Sequence, residues 1–179
     1  NPNAASPCDA PSITCIAAAN GTIFVGGTFR KIGGASRFHV AALDATTGLA
    51  TVWNAGISSS YGVNELAISG STIYVAGQFL AAQSQTRYSA AAFDLLTGAL
   101  TPWNPQVTSD GQRGEVRAIA VSGATVFLGG YFDNVGSQSR SNLAAVDAVT
   151  GQTVPWQGDA TGRVSTLTIV GARLYAGGE

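Results

Sequence analysis

Charge is what this chain has least of. Nine basic and ten acidic side chains among 179 residues leave a formal net charge of −1, and Lys31 is the only lysine. So sparse and balanced a set builds no basic field, which argues against nucleic acid or anionic lipid as partners. Histidine occurs once, at His39, and cysteine twice, at Cys8 and Cys15, too few ligands for a zinc or multi-histidine metal site. His39 reads as a solvent-facing strand residue. Neither G-x-S-x-G nor H-E-x-x-H occurs, so neither a serine elbow nor a zinc-protease helix is encoded. No apolar run approaches the roughly 18 residues of a membrane-spanning helix. Methionine is missing altogether, and the chain opens NPNAASPCDAPS, a polar, proline-bearing lead that fits a signal-peptide remnant or an arbitrary start.

What is abundant is apolar and small. Hydrophobic residues make up 45% of the chain and charged residues 11%, a balance that buries a core and is incompatible with disorder. The chain also repeats itself. DATTGLATVWN (44–54), DLLTGALTPWN (94–104) and DAVTGQTVPWQ (147–157) place Trp53, Trp103 and Trp156 at the same distance after Asp44, Asp94 and Asp147. Taking the second residue of each glycine pair as anchor (Gly27, Gly77, Gly130, Gly178), the spacings are 50, 53 and 48 residues, a period that marks a repeat architecture. Fourteen residues before the anchors stand Ile13, Val63, Val116 and Val164, and eleven before stand Ile16, Leu66, Ile119 and Leu167. Three before stand Phe24, Tyr74, Phe127 and Tyr175, and two after come Phe29, Phe79 and Phe132.

Each copy reads as strands. VRAIAVSGATVFLGG is two β-rich runs around a Ser-Gly turn, and the first copy carries Asn20-Gly21 there, a hairpin signal because both residues tolerate positive φ. A third run (HVAALD, SAAAFD, NLAAVD) leads into D-x-x-T-G, a turn built on an aspartate that bonds the backbone ahead of it. A fourth strand then carries the tryptophan. Pro102 and Pro155 precede it in two copies, which assigns it to the sheet edge. We label the four strands a to d. The Asn20-Gly21-Thr22 sequon is explained by the turn without sugar.

A four-stranded meander with apolar residues on both faces needs a neighbour on each side. Repeated every 50 residues or so, with small residues permitting close approach, it predicts an all-β fold: a β-propeller segment of four-stranded antiparallel blades, about three and a half repeats long. The expected organisation is a lead at 1–11, blades at 12–57, 58–110 and 111–160, and the first hairpin of an incomplete blade at 161–179. Further repeats are expected to supply its remaining strands and complete a ring of six to eight blades. In this reading each tryptophan is a packing element, removing about 150 to 250 Å² from water, or roughly 4 to 6 kcal/mol before entropy.

The repeat resembles the bacterial delta-60 repeat and related domain-of-unknown-function β-propellers of secreted and surface proteins. The units that carry the likeness are V-x-A-I-A-V-S-G, T-V-F-L-G-G-Y-F, S-R-S-N-L-A-A-V-D and T-G-Q-T-V-P-W. It is similar also to kelch repeats, through the glycine pair and the strand-d aromatic, and to fungal cortical surface propellers. The resemblance implies an extracellular or cell-surface interaction module without catalytic residues. A-L-D-A-T-T-G-L-A-T-V-W is similar to the tryptophan-docking motif of quinoprotein dehydrogenases, which bind pyrroloquinoline quinone with calcium. Here, however, the tryptophan falls one residue later and no vicinal cysteine pair exists, so the motif implies a blade rather than a quinone.

Every singled-out residue also has a structural use. Arg37, Arg87 and Arg140 stand seven residues before the turn aspartates, a pattern that suits loop tethers better than a repeated anion site. Asp44, Asp94 and Asp147 are turn formers before they are calcium ligands, because no second carboxylate recurs beside them. Cys8 and Cys15 would close a small loop as a disulfide in an exported protein, worth roughly 2 to 3 kcal/mol; the other reading is two free thiols. Only the d-to-a connection varies in length, and it carries Tyr61, Asp110, Arg113 and Glu115. Variable polar loops on a rigid scaffold are where recognition resides. The expectation is therefore a non-enzymatic surface module that uses no cofactor or metal, binds protein or glycan through these residues, and self-associates or meets further blades through its open sheet faces. The alternatives are a structural subunit of a filament or sheath, and a fragment of a quinone-dependent oxidoreductase.

Overall fold

The computed structural model describes residues 11–58 and 61–179. Among these there is no helix; all regular structure is antiparallel β. Three units repeat the same sheet. In the first, strands a, b and c are Ile13–Ala19, Thr22–Gly27 and Val40–Asp44; in the second, Val63–Ser69, Thr72–Gly77 and Ala90–Asp94; in the third, Glu115–Ser122, Thr125–Tyr131 and Leu143–Asp147. Strand b is always central. A last hairpin, Val164–Val170 with Arg173–Gly178, forms a two-stranded sheet.

The fourth strand is shorter than the sequence suggests. It contributes one bridge per unit, Leu43 to Ala50, Phe93 to Leu100 and Val146 to Thr153, so each sheet is three strands with a rudimentary fourth. The cause is local. After the bridge the chain turns inward, and the Trp53 amide bonds its own Thr51 Oγ1 at 3.2 Å while the Trp156 amide bonds Val154 O at 2.7 Å. Those donors are spent before a ladder can continue.

Strands a of successive units lie side by side, so the units fan out from a common inner row. Each strand a is bulged opposite the glycine pair, with the shifts at Ile13/Cys15, Val63/Glu65, Val116/Ala118 and Val164/Thr166. In the first two units the extra residue points its side chain at the next unit. Thr14 Oγ1 donates to Val63 O at 2.6 Å and Asn64 Nδ2 to Val116 O at 2.9 Å. The bulge also explains the anchor glycine. A Cβ at Gly130 would lie 1.9 Å from Glu115 O, and one at Gly77 would lie 2.5 Å from Gly62 O.

Most of the core lies between units, and a smaller cluster of Val25, Phe29 and Ala41 lies within the first. Phe24, Val40 and Trp53 of the first unit pack with Val63, Leu66, Val75 and Phe79 of the second. Tyr74, Ala90 and Trp103 of the second pack with Val116, Ile119, Leu128 and Phe132 of the third. Trp53 and Trp103 are 3% and 1% exposed. Trp53 meets Phe24 edge-on at 5.4 Å and Phe93 at 5.7 Å, and Trp103 meets Tyr74 at 5.1 Å. Their indole N–H groups donate forward, to Asp94 O at 3.2 Å and Asp147 O at 3.0 Å. Trp156 keeps the edge-on partner, Phe127 at 5.3 Å, but is only half-buried.

Candidate functional site

The d-to-a connections are partly built into the scaffold. Each b-to-c connection folds into a small hairpin: Lys31–Ile32 with Ala35–Ser36, Ala81–Ala82 with Gln85–Thr86, and Asn134–Val135 with Gln138–Ser139. The preceding unit's d-to-a segment adds a strand to the latter two. Ile57–Ser58 pairs with Ala81–Ala82, and Val107–Ser109 with Asn134–Val135. The second connection goes further, because Val107–Ser109 also pairs with Gln112–Arg113. Asp110 and Gly111 take φ 50° and 70° at its tip, the two-residue turn that Asp-Gly encodes. That signal was available in the sequence.

This hairpin brings some of the predicted residues together and separates others. Arg113 lies over the exposed Tyr61 ring, 5.0 Å from its centroid. The Asp110 amide donates to Asp133 Oδ2 at 2.8 Å. Glu115 sits instead at the inner start of strand a, ion-paired to Arg117 Nε at 3.1 Å. A groove of about 440 Å³ opens between the second and third d-to-a segments, with Asp110, Tyr131, Asp133, Ser141, Asp159 and Thr161 on its walls. Tyr131 is 51% exposed and backed by Arg163, 5.4 Å from its ring centroid. Asp159 Oδ1 accepts from the Ser141 amide at 2.9 Å. Tyr131, Asp133 and Asp159 were not singled out from sequence; Tyr131 follows the glycine pair where the other copies carry Thr28 and Gln78.

The recurring residues have structural partners. Asp44 Oδ1 accepts from the Thr46 and Thr47 amides at 3.0 and 2.7 Å and from the Thr47 hydroxyl at 2.9 Å. Asp94 and Asp147 repeat the pattern with Leu96 and Thr97 and with Val149 and Thr150. These bonds hold all three carboxyls below the usual aspartate value. Arg37 Nη2 donates to Thr51 O at 2.6 Å and Arg87 Nη2 to Thr101 O at 3.0 Å, tying the b-to-c loop to the rudimentary fourth strand. Arg140 bonds Ser139 O at 2.7 Å. Among the described residues no group of three or more His, Cys, Asp or Glu could hold a metal ion.

His39 is buried, 5% exposed, rather than solvent-facing. It shares a left-handed backbone with Ser89 and Asn142, at φ 65°, 65° and 62°, because this position closes the b-to-c loop. Its carbonyl accepts from the Gly27 amide, and its amide donates to Phe29 O. Cys15 is a free thiol, pushed up to about 11 chiefly by burial; Cys8, its expected partner, lies outside the described residues.

A protein-family model described as a domain-of-unknown-function (DUF5122) beta-propeller matches residues 18–46, from the end of strand a into the first D-x-x-T-G turn. No curated protein matches the chain. Among solved structures, the computationally designed Ika4 protein superposes with a TM-score of 0.61 at 15% identity, over 94% of this chain and 86% of that one. The designed Ika8 protein gives 0.59 at 14% identity, over 92% and 42%. The extracellular domain of a one-component system from B. thetaiotaomicron gives 0.61 at 13% identity, over 92% and 19%. The chain thus spans less than half the length of the last two. At these identities the likeness is one of fold, and with the family match it makes the chain an all-β, propeller-like arc.

Proposed function

We propose that the chain acts as a non-enzymatic extracellular or cell-surface β-propeller module that binds protein or glycan on its d-to-a face and serves as a scaffold. The observation that carries this reading is the groove around Tyr131. An exposed aromatic face is flanked by Asp110, Asp133 and Asp159 and by the hydroxyl side chains of Ser141 and Thr161; the Asp110 hairpin is held by strand pairing, and the Asp159 segment is tied to Ser141 by two hydrogen bonds. A rigid ring offers apolar area at little entropic cost, and hydroxyls and carboxylates around it orient a polyhydroxylated ligand. The extracellular neighbour supports the same location. The kinship with delta-60 and kelch-like repeats, and a complete ring of six to eight four-stranded blades, belong to this reading, as do the absence of catalysis and of any cofactor.

Saturation-transfer NMR against a panel of neutral oligosaccharides tests it, with the wild type beside Tyr131→Ala and Asp110→Asn. Transfer is expected to the wild type, to vanish on loss of the ring and to weaken on loss of the carboxylate charge. Transfer that is indifferent to both substitutions would move the ligand off this face.

A further inference from the structure

We infer that the polar groove between the second and third units is a binding site for a primary carboxamide, carried on a glutamine side chain of a partner polypeptide. The second unit holds such a group of its own. Gln83, six residues after the Gly77 anchor, stands at the tip of the b-to-c hairpin with φ 45° and lays its amide across the junction with the first unit. Its Nε2 donates to Asn54 O at 3.2 Å and to Gly98 O at 2.7 Å, and its Oε1 accepts from the Leu100 amide at 3.2 Å. The side-chain amide is thus used as donor to two carbonyls and as acceptor from one amide.

The third unit repeats the partners of this amide without the glutamine. Asn104 follows Trp103 as Asn54 follows Trp53, and Gly151 and Thr153 stand four and six residues after Asp147, as Gly98 and Leu100 do after Asp94. Six residues after the Gly130 anchor the chain has Gly136. Its φ of 59° keeps the turn, yet a Cβ there would meet only Pro105 O, at 3.8 Å. The first unit also has glycine at this position, but there the turn closes, and Gly33 O itself accepts from the Ala50 amide at 2.9 Å. In the third unit it stays open: among the described residues nothing donates to Asn104 O or Gly151 O, and nothing accepts from the Thr153 amide.

A groove of about 360 Å³ lies at this place, with Asn104, Gly136, Gly151 and Thr153 on its walls. Two further observations narrow what enters it. Asn104 Oδ1 is buried without a hydrogen-bond partner, whereas its counterpart Asn54 Oδ1 accepts from the Gly56 amide at 3.1 Å, so the groove selects donors. No lining residue is charged, so an ion would be desolvated there without a counter-charge. A carboxylate would set its oxygens against those of Asn104 and Gly151; a primary amide gives each a donor and keeps an acceptor for Thr153. Because a glutamine on a turn fills the equivalent place, the occupant assigned is a glutamine side chain. The groove shares no lining residue with the one around Tyr131, so the inference is independent of the function proposed above.

The test titrates the whole chain with propionamide and with the peptide Ala-Gln-Ala, blocked as an N-acetyl N-methylamide, and follows the backbone amide resonances. Saturable shifts are expected around Asn104, Gly136, Gly151 and Thr153, with the Thr153 amide proton moving downfield as it gains an acceptor, and with tighter binding of the peptide. Propionate and the blocked Ala-Glu-Ala peptide should bind at least about tenfold more weakly, because each leaves carbonyl oxygens unpaired. Gly136→Gln should supply the amide from within the chain, as Gln83 does, abolishing the shifts and raising Tm; Gln83→Gly should open a second site and add shifts at Asn54, Gly98 and Leu100. The site is overturned if the wild type shows no saturable shift at these residues, if propionate binds as well as propionamide, or if folded Gly136→Gln binds undiminished. Propionamide binding without the glutamine peptide, or tighter binding of N-acetylglucosamine than of either, would overturn the polypeptide source.

Discussion

A tryptophan in this repeat stabilises in proportion to what the next unit lays on it. Trp53 and Trp103 are closed in by a following turn and donate to its aspartate carbonyl, whereas Trp156 is half-buried beside Phe127, at the margin of the cluster around Ala118, Leu143, Val164 and Leu167. Replacing Trp103 with alanine should therefore cost about 3 to 5 kcal/mol in urea denaturation, and Trp156→Ala distinctly less; equal losses would mean that the forward contacts carry no weight. The turn aspartates give a second handle, through pH. Their folded carboxyls titrate below the ordinary value, so their stabilisation is full above the usual carboxylate range and drains away as pH falls through the lowered pKa. Asp94→Asn keeps an acceptor but not the charge, so its Tm should lie below wild type at pH 7 and converge with it as pH falls through the lowered pKa. Glu65 has the opposite sign. Burial raises its carboxyl, although the Ile119 amide donates to it, so ionisation there opposes folding as pH rises. Glu65→Gln should raise Tm at neutral pH and lose that advantage in acid.

At the scale of the element, a bulge and a glycine explain one another. Strand a takes an extra residue opposite the glycine pair, and the carbonyl just before the bulge presses on the second glycine of strand b. Gly130→Ala puts a methyl group within 1.9 Å of Glu115 O, where no flexible side chain can yield. We expect a loss toward the upper end of the roughly 1 to 3 kcal/mol that overpacking costs, read as a lower Tm, while Gly123→Ala, with open space around it, should cost only the strain of its positive φ. The elements also show where the sequence was legible. Strands a, b and c were, because their apolar columns recur with the period and the turns between them have strong local chemistry. The D-x-x-T-G turn was legible for the same reason. The brevity of strand d was not, since it follows from the Trp53 and Trp156 amides bonding back onto their own segments. The small sheets on the d-to-a face were also hidden: pairing Ile57–Ser58 with Ala81–Ala82 is a contact between units, and no local pattern announces it. His39 misled for a related reason. Its burial and left-handed φ are set by closing a loop whose geometry Ser89 and Asn142 share without sharing its chemistry.

For the molecule as a whole, a core that lies mostly between units makes stability a property of interfaces rather than of blades. Each internal sheet is held from both sides, as Ile73 and Val75 on one face and Tyr74 and Ala76 on the other illustrate, all at 3% exposure or less. The last hairpin is held from one side only. Val164 and Leu167 are buried against Ala118 and Leu143, while Val170 and Tyr175 are 61% and 52% exposed. In an arc whose units contact only their neighbours, opening should begin where one interface is missing and spread inward. Native-state hydrogen exchange should accordingly show a gradient: amides of Arg173–Gly178 exchanging fastest, those pairing Leu128 with Ala144 slower, and the second unit's Val75–Ala91 pairing slowest, since it lies between two complete interfaces. The denaturant dependence separates this from mere exposure of an edge. Amides that open by losing the last hairpin as a unit share one shallow slope and one free energy, whereas amides at a frayed edge exchange with no slope at all. A single free energy for every protected amide would mean that the arc unfolds all at once, and that its interfaces are coupled more strongly than a nearest-neighbour array permits.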